Sequence, residues 1–436
     1  MEDAFSMDGI SRDSADFSIE MGNYEMKKVE KFERIWKVGY GGSISSTPLY
    51  YSGTVYFGCA DHFVYSLNPD DGSLKWKFEA RSGIILSYVR EHNGLLYFGS
   101  FDHMFYAIRA DNGALVWKYQ TRDKIASTPC FSEGMLYFGG KDQFVYALKA
   151  DTGELVWKYR TFGPIISHPT VWKDAVLIVS YDRFLYCIDK RTGKLNWKFE
   201  TQGEIHCPSE LATKGGVIYF NSFDNYVRAV DIATGKLLWK TMTGRYGCEG
   251  TATVYEDMIF NTARDGILYA LSMDGRILWK FETREVPGEP CVHDGKLYIG
   301  GGDFLMHCLD LKGKEMWRFK TTGYVWHQNI TVGNKLIFGS WDCNLYCVNK
   351  DTGELIWKFN TGSSPCNVPK TYEGYEVVMS IPESSLEEES LKNYSISFTE
   401  DGMRDTSQYK SEITYQSGNT YRERGKYQVD SDKEGF

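Results

Sequence analysis

The chain has 436 residues, of which 42% are apolar and 15% aromatic, with 43 Gly and 11 Pro. This composition is typical of a folded, turn-rich protein rather than a disordered one. The formal net charge of −9 argues against sequence-independent nucleic-acid binding, which requires a basic face to displace counterions. We therefore expect no nucleic-acid partner.

The first residues, MEDAFSMDGISRDSADF, are polar and acidic and lack the basic and apolar regions of a secretory signal. No stretch approaches the roughly eighteen apolar residues that a membrane-spanning helix needs. The ten cysteines are scattered singly and form no CxxC pair. This usage favours free thiols in a reducing compartment, so we predict a cytoplasmic protein.

A phrase related to DTGELVWKYRT, at residues 151–161, recurs along the chain. Its tryptophans are spaced by 38 to 42 residues, which predicts a repeat architecture. They are Trp36, Trp76, Trp117, Trp157, Trp197, Trp239, Trp279, Trp317 and Trp357.

In chain order, each repeat predicts four short strands. A segment such as STPCF leads to a turn, then to a run such as MLYFGG, then to a second run such as FVYALKA. A turn containing Gly precedes the tryptophan strand. The runs are dense in β-branched and aromatic residues and are bounded by turn residues, as strands are. A glycine lies four residues before Trp in every full repeat, where a tight hairpin needs a positive φ: Gly72, Gly113, Gly153, Gly193, Gly235, Gly275, Gly313 and Gly353.

Four short strands in about 40 residues, repeated eight times, predict an all-β fold, a single closed β-propeller. The pattern Ala-x-Asp-x-x-Thr-Gly-x-x-x-Trp, nearly intact in ALKADTGELVW, resembles the repeat of pyrroloquinoline-quinone-type (PQQ-like) propellers. That group includes quinoprotein alcohol dehydrogenases and the propeller lipoprotein of the bacterial outer-membrane assembly machinery. The resemblance covers about residues 30–380 and says little about activity, because the motif packs blades whereas function resides in loops.

The resemblance implies eight blades, with the lone strand at Trp36 closing the ring against the last blade. A ninth blade is the alternative, because residues 363–380 look like the first half of a further repeat. We predict a propeller over residues 30–382, between a polar extension at 1–29 and a polar tail at 383–436, both flexible.

The funnel at the centre of the propeller is the candidate binding site. The first strand of each blade lines the channel, so residues aligned on the STP segment form rings. Such residues could bind a polar small molecule or simply contact water. The candidates, which include residues in adjoining loops, are His168, His206, Arg245, Glu249, Glu289, Trp326, His327 and Gln328.

A soft or borderline metal is a second possibility for the funnel, held by Cys207, Cys248, His327 and Cys366. No HxH or CxxC spacing supports it, and buried cysteines commonly act as small apolar side chains. The dehydrogenases that the chain resembles hold their quinone with an adjacent Cys-Cys pair, which is missing from this sequence. We predict no resident cofactor, with a metal or a quinone as the alternatives.

An acidic residue recurs at the turn between the second and third strands of every repeat. A residue kept in every repeat serves the repeat itself, so we expect these carboxylates to bond turn amides. Calcium binding is the alternative. The residues are Asp61, Asp102, Asp142, Asp182, Asp224, Asp265, Asp303 and Asp342.

The tail carries tyrosines six residues apart, at Tyr409, Tyr415, Tyr421 and Tyr427. In an extended chain this spacing would place all four rings on one face. The composition of the tail predicts a solvated segment. A docking segment, or a substrate for the propeller's own funnel, is the alternative.

No GxSxG, HExxH, P-loop or Rossmann motif occurs in the sequence. We therefore predict a non-catalytic scaffold of WD40-like architecture, a monomer that recognises a protein, a peptide or a small ligand at a propeller face. The alternative is an enzyme. It would be a redox or metal-dependent one acting in the funnel, on a peptide such as the Tyr-repeat tail, or a quinone-linked dehydrogenase.

Overall fold

A computed structural model describes residues 42–248 and 250–362 in full, together with the backbone of strands at 23–29, 374–380, 394–396, 411–416 and 420–425. Every regular element in this part of the chain is a β-strand. Accordingly, none of the described residues belongs to a helix that could cross a membrane. Residues 37–366 form one compact unit, and residues 1–36 with 367–436 form another.

The first four blades each consist of four consecutive strands. Blade 1 contains Leu49–Tyr51, Thr54–Gly58, Phe63–Leu67 and Leu74–Glu79; blade 2 contains Arg90–His92, Leu95–Gly99, Met104–Arg109 and Leu115–Gln120; blade 3 contains Cys130–Ser132, Met135–Gly139, Phe144–Lys149 and Leu155–Arg160; blade 4 contains Thr170–Trp172, Ala175–Val179, Phe184–Asp189 and Leu195–Glu200.

The other four blades repeat this order. Blade 5 contains Ala212–Lys214, Val217–Asn221, Tyr226–Asp231 and Leu237–Met242; blade 6 contains Thr253–Tyr255, Met258–Ala263, Ile267–Ser272 and Ile277–Glu282; blade 7 contains Cys291–His293, Lys296–Gly300, Leu305–Asp310 and Glu315–Lys320; blade 8 contains Ile330–Val332, Lys335–Gly339, Asn344–Asn349 and Leu355–Asn360.

Within each blade, neighbouring strands pair antiparallel in sequence order. The first strand has three residues, the second and third are almost wholly buried, and the fourth alternates between exposed and half-buried positions. The fourth strand is therefore the outer edge of each sheet. A Lys or Arg follows the tryptophan in all eight of these strands, and such edge charges oppose strand addition by another chain.

The ring closes between blade 8 and blade 1. Trp357 donates its indole N–H to the carbonyl of Pro69 at 3.0 Å. One apolar cluster combines Val55 and Phe57 of blade 1 with Leu345 of blade 8. The prediction of a closed eight-bladed propeller is thus confirmed.

The ninth-blade alternative is wrong, because the strand Gly374–Ser380 pairs with Asn23–Val29 and Tyr394–Ile396 in the other compact unit. The closing role predicted for the strand at Trp36 lies outside the described residues. Most of the tail also lies outside the described residues. Within it, Ser411–Gln416 and Thr420–Gly425 form a hairpin that pairs Tyr415 with Tyr421.

Each of the eight repeated tryptophans from Trp76 to Trp357 contacts the next blade, as its recurrence predicted. Trp117 of blade 2 donates its indole N–H to the Ala150 carbonyl of blade 3 at 3.1 Å, and the Tyr97 hydroxyl donates to the same carbonyl at 2.9 Å. The glycine four residues before the next tryptophan lies against this indole. A Cβ on Gly153 would stand 2.6 Å from Trp117. The tryptophan and tyrosine side chains, represented by Trp117 and Tyr97, therefore hold each blade to its neighbour.

The recurring aspartates bond turn amides, as predicted. In blade 3, Asp142 accepts hydrogen bonds from the Phe144 amide, from the Tyr146 hydroxyl and from the Arg122 amide in the preceding connection. Blades 5 and 7 replace the tyrosine with Arg228 and His307, which also contact their aspartates. These carboxylates thus bind each turn to the connection that enters the blade.

Candidate functional site

The antiparallel order of the strands gives the propeller two different faces. The loop face, as we call it, carries the connections between blades and the turns between the second and third strands. The turn face carries the other two turns of each blade. Hydrogen bonds between backbone atoms, such as Thr121 N–H to His103 O at 2.9 Å, hold each connection against the neighbouring turn.

Five buried polar side chains meet at the axis of the ring, and each comes from a different blade. We call them the axial cluster, and each is at most 5% exposed: Tyr88, His168, Ser209, Glu289 and His327. Each lies just before the first strand of its blade. Contacts among blades 2, 4, 5, 7 and 8 are possible only at the centre of an eight-membered ring.

Tyr88 is the centre of the axial cluster. Its hydroxyl lies 3.0 Å from Glu289 Oε2 and 3.0 Å from His327 Nδ1. The Ser209 hydroxyl donates to Glu289 Oε2 at 2.5 Å. The His168 ring packs edge-on against Tyr88, with centroids 4.6 Å apart. These contacts join side chains of blades 2, 4, 5, 7 and 8 at the axis.

Burial controls the protonation of the axial cluster. It raises the pKa of Glu289 to about 7, although hydrogen bonds from Ser209 and Tyr88 oppose that shift. It lowers the pKa of His327 to about 3, and an electrostatic interaction with His206 contributes to the same shift. The imidazole of His327 is therefore neutral near pH 7, whereas the Glu289 carboxyl binds a proton far more readily than an exposed glutamate does.

Three predicted site residues, His168, Glu289 and His327, thus lie in one cluster. Tyr88 and Ser209, which the sequence analysis missed, join them. Tyr88 lies two residues before the first strand of its blade, the position that His168 and Glu289 occupy in theirs, so aligning blade 2 on its strand pairing would have found it.

The remaining predicted residues occupy other positions. His206 lies between two rings, with centroids 5.5 Å from Tyr181 and 5.9 Å from Phe223. Arg245 is exposed in the connection between blades 5 and 6, and Gln328 is half-buried. Glu249 lies outside the described residues.

The cysteines proposed as metal ligands make other contacts. Cys207 lies 3.7 Å from Asn221 Oδ1, and the Cys248 thiol donates to the Thr243 carbonyl at 3.1 Å. Burial raises the pKa of Cys207 to about 12 and that of Cys248 to about 11, so both are neutral thiols. Within residues 42–248 and 250–362, no three His, Cys, Asp or Glu side chains are placed to hold a metal. Cys366 lies outside that range, so the four-residue site stays a prediction.

Aromatic rings collect on the loop face. Trp326 stacks on Trp341, with centroids 6.4 Å apart, and Tyr324 packs edge-on against Trp341 at 5.1 Å. All three are only partly buried. Across the face, Phe162 in the connection between blades 3 and 4 is 77% exposed. The loop face therefore offers apolar contact area that the propeller itself does not use.

A groove of about 620 Å³ lies on the turn face between blades 2 and 3. His92, Glu133, Lys149 and Asp151 are among its lining residues. Lys149 pairs with Glu154 at 2.7 Å, so part of its charge is already neutralised within the blade. We assign this groove no function.

The fold and the repeat contacts define a PQQ-like β-propeller. The family model described as "Outer membrane protein assembly factor BamB" matches the chain in four overlapping stretches, residues 60–162, 102–247, 206–317 and 264–379. These stretches span more than half of the chain, which belongs to this family.

Two solved structures are similar to the propeller. BamB from Moraxella catarrhalis superimposes with a TM-score of 0.59 at 17% identity, covering 74% of this chain and 96% of that one. The computationally designed Ika8 protein gives a TM-score of 0.63 at 15% identity, covering 71% and 97%. At these identities the likeness concerns the fold alone. No curated protein matches the chain.

Proposed function

We propose that the chain is a non-catalytic scaffold that binds a protein partner on its loop face. The observation that supports this proposal is the group of partly exposed aromatic rings on the loop face, represented by Phe162, Trp326 and Trp341. Aromatic side chains supply large contact areas at protein interfaces. The family's description as an assembly factor also supports a protein-binding role.

The rigidity of the propeller favours a binding role as well. The tryptophan and aspartate contacts fix each connection relative to its neighbours, and the axial cluster joins five blades through buried hydrogen bonds. A partner that binds such a surface meets loops that are already ordered, so less conformational entropy is lost on association. In this proposal the axial cluster has a structural role.

The proposal is tested by photo-crosslinking in the native host. A photoreactive amino acid is placed at Phe162 on the loop face, at Asn112 on the turn face, and at Val116 on the outer edge, all three exposed. We expect a discrete protein adduct from position 162 and none from the two control positions. Equal labelling from all three positions, or an adduct only from position 112, would contradict the proposal.

Three further properties belong to the same proposal: a cytoplasmic location, a monomeric state and the absence of a resident metal or quinone. Elemental analysis and an absorbance spectrum of protein purified from the native host test the last of these. A stoichiometric metal that disappears in a Cys207→Ser/Cys248→Ser variant would favour the enzyme alternative.

A further inference from the structure

Cations of the chain stand over aromatic rings at two places on the loop face. The ammonium groups of Lys124 and Lys141 stand 5.2 and 5.3 Å from the centre of the Phe101 ring. The Arg264 guanidinium stands 4.8 Å from the centre of the Phe223 ring. Both phenylalanines precede the recurring aspartate of their blade. An aromatic face attracts positive charge, so these two rings already have a cation partner within the propeller.

Trp341 occupies the equivalent position in blade 8, before Asp342, but its surroundings differ. It forms a group with Tyr324 and Trp326 of the connection between blades 7 and 8, and we call these three residues the aromatic triad. The two indoles have centroids 6.4 Å apart, and the Tyr324 ring is inclined to them by 78° and 68°. Among the described residues, no Lys or Arg stands over any ring of the triad. All three rings are partly exposed, so a cation from outside the propeller can reach them.

A carboxylate lies beside the triad. A Cβ on Gly302 would stand 2.6 Å from Tyr324 Cε1 and 3.1 Å from the Cβ of Glu285, so these two side chains flank the same backbone position. The Glu285 carboxylate forms no hydrogen bond or ion pair with any residue in the described part of the chain, its exposed neighbour Arg284 included. Burial and the nearby charge of Asp303 raise the pKa of Glu285 to about 7. A partly buried carboxylate needs compensation, which a cation from outside would supply.

We propose that the aromatic triad and Glu285 bind a lysine or arginine side chain that the protein partner presents to the loop face. The inference rests on the proposed function and specifies one contact of its interface. The cation stands over the exposed face of an indole, which attracts positive charge more strongly than other aromatic rings do, and beside the Glu285 carboxylate. Both attractions gain strength where the partner excludes water.

A side chain of a partner suits these contacts better than a free small molecule. The triad and Glu285 are partly exposed, whereas a small-molecule site usually encloses most of its ligand. The alkyl stem of a lysine or arginine packs on apolar rings while its charged end reaches the carboxylate. The recurring aspartates lie in turns of the same face, so the charge of the face does not oppose a cationic partner.

The inference is tested with three capped peptides that differ only at a central residue, which is lysine, norleucine or glutamate between leucines. Calorimetric titration of the full chain measures their affinities, and NMR of the tryptophan indole N–H groups locates the contact. We expect the lysine peptide to bind about fivefold more tightly than the norleucine peptide, which has a similar stem without the charge. The resonances of Trp326 and Trp341 should shift. The glutamate peptide should bind most weakly, and added salt should weaken the binding of the lysine peptide.

A matched pair of variants tests the role of the carboxylate. Glu285→Gln removes the charge and keeps the size of the side chain, and Glu204→Gln makes the same change in the connection between blades 4 and 5. Glu285→Gln should bind the lysine peptide about fivefold more weakly than the parent, whereas Glu204→Gln should bind it as the parent does. Trp341→Leu keeps an apolar side chain but removes the indole face, so it should reduce the preference for lysine over norleucine. Thermal unfolding checks that all three variants are folded.

The inference is overturned if the norleucine or glutamate peptide binds as tightly as the lysine peptide, or if Glu285→Gln and Glu204→Gln bind the lysine peptide equally well. Choline that bound more tightly than the lysine peptide would assign the site to a free organic cation and would also overturn it. Failure of the inference is distinguishable from failure of the proposed function. A position-162 adduct without any preference for the lysine peptide would retain the scaffold and remove the cationic contact. The absence of a position-162 adduct in the parent would remove the scaffold proposal itself.

Discussion

At the scale of single residues, the glycine before each tryptophan meets two requirements. Gly153 has a φ of 71°, which side chains rarely adopt, and it also lies against the indole of the preceding blade. The sequence predicted the first requirement from turn chemistry. The second depends on a contact between repeats, which the sequence of one repeat does not contain.

Gly153→Ala should destabilise the protein more than Gly134→Ala. Gly134 has a similar φ of 75°, but nothing lies within 4 Å of its added Cβ. The Gly134 variant should lose about 1 kcal/mol from the left-handed backbone alone. The Gly153 variant should lose a further 1–3 kcal/mol, on the order of other overpacked sites. Urea unfolding measures both, and equal losses would show that the indole contact is unimportant.

Glu289 predicts a specific pH dependence of stability. Its pKa in the folded protein is about 7, above the ordinary value of 4.5, so the folded state binds a proton more tightly than the unfolded state. The contribution of this carboxyl to stability is therefore complete below about pH 4.5, falls as the pH rises to about 7, and is constant above. The loss amounts to at most about 3 kcal/mol.

Glu289→Gln should remove this dependence. We expect the variant to gain stability relative to the parent as the pH is raised from 5 to 8, measured by urea unfolding at each pH. Glu285→Gln serves as a control for the other carboxyl of raised pKa. A constant difference between parent and variant across this range would contradict the assignment.

The candidate site was only partly predictable at this scale. His168, Glu289 and His327 could be selected because the aligned rings reveal unusual polar residues. The contacts that these residues make with Tyr88 could not be predicted, because they depend on the diameter of the ring and on a side chain that crosses the axis. Neither quantity is encoded in the period of the repeat.

At the scale of strands and blades, one carbonyl receives two hydrogen bonds from the preceding blade. The Lys190 carbonyl accepts from the Trp157 indole at 3.0 Å and from the Tyr137 hydroxyl at 3.1 Å. The same arrangement occurs at Ala150 and at Lys350. The fourth strand of one blade and the last turn of the next are thereby joined.

Two variants separate packing from hydrogen bonding at this junction. Trp157→Ala removes a ring that is 9% exposed, so it should cost about 3–5 kcal/mol, as large-to-small core changes do. Tyr137→Phe removes one donor and retains the ring, so it should cost about 1 kcal/mol. Thermal and urea unfolding measure the losses. A Tyr137→Phe loss equal to that of Trp157→Ala would show that the hydrogen bonds, rather than ring packing, hold the blades together.

Blade architecture was predictable because the repeat period, the strand composition and the turn residues all agree. The manner of ring closure was predicted from the family resemblance alone, and the closing role of Trp36 lies outside the described residues. The family resemblance suggested closure by the strand at Trp36. In the structure, the fourth strand of blade 8 is Leu355–Asn360, and its own Trp357 bonds to blade 1. All eight described blades are therefore built from consecutive strands.

At the scale of the whole molecule, the contacts between blades 8 and 1 close the ring within the compact unit at 37–366, so we expect this unit to fold without the rest of the chain. A chain restricted to these residues should unfold in one cooperative transition near the melting temperature of the full chain. Differential scanning calorimetry measures it. Loss of the cooperative transition would show that Trp36 or the strands beyond residue 366 are needed to close the ring.

The central claim is that a rigid propeller binds a protein partner on one face. Hydrogen–deuterium exchange tests this claim most directly. It is measured on the free protein and on its complex with the partner that crosslinking identifies, without a crosslink. The account predicts added protection in the loop-face connections near residues 81–84, 121–124 and 322–326, with the turn face unchanged. Protection confined to the turns near residues 111–113 and 151–153, or spread evenly over both faces, would contradict it.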